Sequence, residues 1–388
     1  MLRFLKKKLC LILVLMMFFF LWFSLSEDKE PGNIHEISGT VVSVDNSEIL
    51  QAGVGAVGVQ SLFVVLHEGE WKGDQVKAIN HLNGQLEMDE LYSSGDKILL
   101  AVLEKDFKII DAKAINSFRQ NWELVLFACF AVALIVFSRL IGLKALLSFV
   151  ASLGVLWFVY IPNLLSGVQP LPLSLVVLVL LSMVIILSVA GITRCGIAAF
   201  LGTVCGLGVT LVLTLFFGEK LKLAGMTAPF SSTLLMQGGF DLNLQHIFYS
   251  AVLLGASGAS MDIAMDVSAS MKEIKDKKPD IETFELIQSG FNVGRMVIGT
   301  MATTLLLAYS GGYLTMLMVF VSQKTSFTRI LNMKLVAAEI FRILIGSIGL
   351  LIVAPVTAVI AGILLNISID SFPVLGKINN FYKKIIKF

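Results

Sequence analysis

Two aspartates four residues apart, Asp262 and Asp266, stand in the run GASGASMDIAMDVSAS, where every other residue is apolar, small or hydroxylated. Ionisable groups in such surroundings are costly and are candidates for function. At 100° per residue, Gly255, Gly258, Ala259, Asp262, Asp266 and Ala269 share one stripe of a helix. Small residues there let a neighbouring helix or a solute approach closely. A second stripe follows Pro279: Glu285, Gln288, Asn292, Arg295, Gly299 and Thr303 fall within about 80° of one another on a helical wheel. Asp262, Asp266, Arg295, Asn292 and Thr303 form the candidate intramembrane polar site. The expected chemistry is passage of a cation, proton or polar solute, with the Arg295 fork pairing with a carboxylate. The bland alternative is an ion pair that only fixes helix register. A secondary charged pair, Glu339 and Arg342 at i, i+3, reads as a solvated helix entrance.

Other chemistry is not signalled. The chain holds no Walker sequence, GxSxG or HExxH motif. Asp262 and Asp266 share one helix, so they cannot grip a peptide bond from two sides. No enzyme and no cofactor is expected. Cys10, Cys129, Cys195 and Cys205 lie in or beside apolar stretches without CxxC spacing, and the four histidines are scattered. They read as packing residues, with neither a zinc site nor a disulfide framework.

The elements that must position these residues are membrane spans. Of 388 residues, 15% are charged and 56% hydrophobic, and the mean hydropathy is +0.85. A soluble domain has about 25% charged residues. This composition excludes a cytosolic enzyme or a nucleic-acid binder. About 20 apolar residues cross a bilayer as helix, which yields about eight spans. The first, Leu9–Leu25, follows Lys6–Lys8 and reads as an uncleaved anchor, with a signal-like segment as the alternative (residues 1–26). Then come Trp122–Ser138, two crossings within Ala145–Thr193, Cys195–Gly218, Leu244–Met265, Met296–Leu317 and Ile343–Ile367. Pro162, Gly167, Pro170 and Pro172 part the two middle crossings, and Gly311-Gly312 reads as a break in the seventh. Gly202-x-x-x-Gly206 and Gly346-x-x-Gly349 read as close helix contacts. The helical membrane domain covers 121–370, and a basic tail 371–388.

Residues 27–120 differ. Alternation predicts strands near Glu36–Val44, Ser61–Leu66, Gln75–Ile79, Lys97–Leu103 and Lys108–Ala112. Turn residues between them include Asp45-Asn46-Ser47, and Gly53, Gly55 and Gly58 mark a loop or bulge. A small extracytoplasmic β-rich domain of OB or SH3-like type is expected. The positive-inside rule places both termini, Arg139/Lys144, Arg194 and Lys272–Lys278 in the cytoplasm and residues 27–120 outside. Lys324, Arg329 and Lys334 run against this orientation.

The stretches GASGASMDIAMDVSASMKEI, SGFNVGRMVIGTMATTLLLAY and EIFRILIGSIGLLIVAPVTAVIAG, in this order, resemble the YibE/F family of bacterial multi-pass membrane proteins. The N-terminal anchor with a β-rich domain is similar to the longer, YibE-like members. Met296 after Arg295, and Thr303, depart from the acidic residue and the Asn expected there. The resemblance implies residence in a Gram-positive-type plasma membrane, a permease-like role without a named substrate, and a shorter paralogue as partner. The combined expectation is a permease or exporter subunit for a small solute or ion, partnered by the lipid bilayer and not by nucleic acid. The alternative is a non-transporting assembly or envelope scaffold.

Overall fold

The computed structural model describes residues 34–84, 88–105, 108–227, 230–236 and 242–367. The expected first span, Cys10 and the basic tail lie outside them. The chain divides into two compact units, one ending at Phe137 and the other beginning at Ser138.

The first unit holds a closed five-stranded barrel: β1 Ile34–Ala52, β2 Gly55–Leu66, β3 Gln75–Asn83, β4 Lys97–Lys105 and β5 Lys108–Ser117. Strand order is β1-β2-β3-β5-β4, closing on β1. The pairs are antiparallel except β3 with β5. Alternate residues point inward, and Ile37, Val41, Leu62, Val64, Ile98 and Leu100 fill the interior. All five expected strands are present, most of them longer than the alternation indicated. The turn expected at Asp45-Asn46-Ser47 is instead a bulge inside β1, where the register shifts between Asp45 and Glu48. The Asp45 carboxylate accepts from Ser47 N at 3.0 Å, and the strand continues. Gly58 lies across the ladder from Ile49 with φ +127, where a Cβ would strike the Glu48 carbonyl. The hairpin turn comes later, at Gly53-Val54.

Two buried amides hold the segment between β3 and β4 against the barrel. Gln60 Nε2 donates to Tyr92 O at 2.9 Å, and Tyr92 N donates back to Gln60 Oε1 at 3.1 Å. Asn80 Nδ2 donates to Glu90 O at 2.7 Å. Glu90 in turn accepts from Ser117 Oγ at 2.6 Å and pairs with Arg119.

The remaining residues are helical: α1 Gln120–Gly154, a π-helical turn Val155–Tyr160, α2 Ile161–Leu165, α3 Pro170–Val189, α4 Arg194–Lys220, α5 Ser231–Met236, α6 Leu244–Lys277, α7 Thr283–Gly312, α8 Leu314–Ser322, α9 Phe327–Leu331 and α10 Lys334–Asn366. Among the described residues six helical runs are long and apolar enough to cross a membrane. The count of eight is not reached there, because the first span lies outside and two expected crossings share the run Gln120–Leu165. That run is interrupted at Arg139, whose φ of 51° and ψ of −124° are not helical. Gly167, with φ +85, turns the chain into α3. α7 ends at Gly312, where the glycine pair marked a break.

In the second unit α10 packs against α4, α6 and α7. Glycines set the spacing. A Cβ on Gly202 or Gly206 of α4 would collide with Thr357 or Val353 of α10, and one on Gly349 with Thr210. The core between these helices is Ile263, Ala264, Val267, Leu350, Ala354 and Ala358.

Candidate functional site

α6 begins at an Asn243 cap, whose side chain accepts from His246 N at 3.0 Å, and continues for 34 residues. At 1.5 Å per residue that is about 51 Å, well beyond a hydrocarbon core of about 30 Å. Its two faces differ. Phe248, Val252, Ala256, Ile263, Ala264 and Val267 are buried against the neighbouring helices. Ala251, Gly255, Gly258, Asp262, Asp266 and Ala269 are exposed, and Ala259 is half-buried. The predicted stripe therefore exists and is open from Gly258 onward, while a Cβ on Gly255 would meet the Tyr309 hydroxyl of α7. Neither carboxylate makes a hydrogen bond or ion pair with a described residue.

α7 carries the second stripe. Glu285, Gln288, Asn292, Arg295, Gly299 and Thr303 are all exposed, while Leu286, Gly290 and Gly294 face inward. Glu285 accepts from Lys278 Nζ at 2.7 Å. Arg295 Nη1 donates to Asn292 Oδ1 at 3.4 Å. The expected pairing of Arg295 with Asp262 or Asp266 is not made. The reason lies in how α7 is seated. Gly290 packs on Met271 and Ala358, and Gly294 on Ala354. Arg295 lies about 100° around the helix from Gly294, so its side chain leaves the bundle. Facing hydrocarbon at mid-bilayer, each such charge would cost about 2.5–3.5 kcal/mol on insertion scales.

The Glu339–Arg342 pair is corrected in the other direction. α10 starts at Lys334, nine residues before the expected span. Glu339 is only 8% exposed, and Arg342 Nη1 lies 3.4 Å from Glu339 Oε1. The guanidinium carbon stands 5.7 Å from the Phe248 ring centre and 6.0 Å from that of Tyr309. This is a buried, aromatic-walled ion pair joining α6, α7 and α10, not a solvated entrance. Sequence reasoning missed Phe248, Tyr249, Tyr309 and Phe341. The one available signal was the i, i+4 spacing of Tyr309 and Tyr313, which puts both phenols on one face of the chain beside α10.

A cavity of about 670 Å³ opens at the N-terminal end of α6, with Gln169, Asn243, Gln245 and His246 among its polar lining. Asp262 and Asp266 do not line it. Among the described residues no three His, Cys, Asp or Glu side chains are grouped to hold a metal ion.

A bundle of long apolar helices, with charges and small residues on the open faces of two of them, defines a polytopic membrane protein. The family model of YibE/F-like proteins matches residues 126–367, and the chain belongs to that family. Comparison with curated proteins and with solved structures returns no match.

Proposed function

We propose that this YibE/F-like protein is a permease or exporter subunit for a small solute or ion. The observation that carries the reading is Asp262: a carboxylate within an apolar span, on an exposed stripe of small residues, with no hydrogen-bond or ion-pair partner among the described residues. Such a group is available to a cation, a proton or a polar solute moving along the stripe. The reading includes eight crossings, cytoplasmic termini and an extracellular barrel, supported by the placement of basic residues. The strand order, with β3 and β5 as its parallel pair, supports an OB-type barrel. It assigns no covalent chemistry to the protein, and it keeps a shorter family paralogue as a partner.

A second reading, a non-transporting envelope scaffold, draws on the barrel. It is a separate unit that leaves Val42, Leu50, Val54 and Phe63 exposed for a binding partner. Untargeted metabolite profiling separates the two. A deletion strain should accumulate or lose a defined small solute, and the wild-type gene should reverse this. Unchanged pools together with a disturbed envelope would favour the scaffold.

A further inference from the structure

We infer that the protein self-associates in the membrane, with the Asp262–Asp266 stripe of α6 in one copy lying against the Asn292–Arg295–Gly299 stripe of α7 in the next. This concerns assembly and does not depend on whether a solute is carried.

The two stripes match in depth. α6 and α7 run antiparallel, and their contacts give the register. Gly290 meets Met271, and Gly294 meets Val267, four residues on in one helix and four back in the other. The same register sets Asp266 level with Arg295, and Asp262 level with Gly299. Within one chain the opposite charges share a level yet do not touch. A second copy inserted with the same topology, related by rotation about the membrane normal, presents Arg295 at the depth of Asp266 with no adjustment.

The two stripes are complementary in charge. The α6 stripe brings two carboxylates, and the α7 stripe brings a guanidinium with its Asn292 neighbour. An Arg fork matches the two oxygens of a carboxylate. Both stripes also leave room for approach. A Cβ built on Gly258 of α6, or on Gly299 of α7, has no atom within 4 Å. Small, open positions let two helices close on each other. The contact occurs twice in a two-fold dimer, or once per interface in a ring.

The test is charge reversal between copies of the full chain, carrying two different tags and co-purified from detergent and from lipid nanodiscs. Asp266→Arg copies bring only basic residues to the matched level, and Arg295→Asp copies only acidic ones. Each variant alone should lose about tenfold in self-capture, the scale of one lost ion pair. Mixed together they should recover wild-type capture, which also shows that both variants fold. A second readout avoids charge reversal. In a chain with its native cysteines replaced, Asp262→Cys copies mixed with Gly299→Cys copies should form a disulfide-linked dimer on mild oxidation. The inference is overturned if the wild-type protein purified alone is monomeric, as a paralogue-only partnership requires. It is also overturned if the reversed variants self-capture normally, if their mixture does not recover, or if the level-matched cysteines do not cross-link.

Discussion

Removing Glu339 or Arg342 probes the buried pair that ties α10 to α6 and α7. Breaking a fully buried ion pair typically costs about 3–5 kcal/mol, because the survivor is left uncompensated. Two features lower that figure for Glu339→Gln. The Arg342 side chain keeps 18% of its surface, and it retains two aromatic faces about 6 Å away, each worth about 0.5–1 kcal/mol. The expected loss is about 2 kcal/mol. Arg342→Met leaves a carboxylate with 11% of its side chain exposed and no guanidinium beside it. That change should cost about 3 kcal/mol, at the lower end for a broken pair. In the double variant no charge is stranded, so the total should stay near about 3 kcal/mol and the coupling near about 2 kcal/mol. Taking about 3 °C per kcal/mol for a bundle of this size, melting in detergent should fall by about 6, 9 and 9 °C. Circular dichroism at the helical band reads this directly. An additive loss near about 15 °C in the double variant would refute the coupling, and single losses near zero would return the pair to a solvated helix entrance.

Three further outcomes follow from other parts of the molecule. Gly202→Leu should destabilise the bundle by at least about 3 kcal/mol, since the side chain would overlap Thr357 where α4 and α10 touch; an unchanged melting temperature would contradict that contact. The isolated segment 27–120 should melt cooperatively with a β-type spectrum and weaken on acidification. Burial pushes the Glu90 carboxyl up, but the Ser117 hydrogen bonds and Arg119 outweigh it and hold the group below its usual value of 4.5. Its contribution is therefore present above pH 4.5 and lost as pH falls through the lower, folded value, and Glu90→Gln should flatten that part of the profile. A cysteine at Gly73 should react with impermeant thiol reagent on intact cells while one at Lys277 should not, and the reverse pattern would invert the orientation.

Much of the architecture was legible because its signals are local. Strand alternation located all five strands, and apolar length located the helices of the bundle. The bulge at Asp45 was misread as a turn because the deciding residue, Gly58, lies on the opposite strand. Arg139 read as the end of a span, and the helix does break there, though the backbone angles that make the break cannot be deduced from residue type. The two polar stripes were visible on a wheel, since exposure repeats with the helical period. Their pairing was not, because Gly290 and Gly294 decide which side of α7 meets the bundle. The burial of Glu339 was equally hidden. Phe248 and Tyr309, which wall in its partner Arg342, arrive from two other helices.

The central claim, that Asp262 lies on a transport path, is tested most directly by flux. The solute that accumulates in a deletion strain would be loaded into proteoliposomes holding wild-type protein or Asp262→Asn at equal density. The account predicts gradient-driven movement through the wild-type protein and its loss in the variant, with the melting temperature of the variant changed little because Asp262 is exposed and pairs with no described residue of its own chain. Equal flux through the two proteins, or none through either, would contradict it.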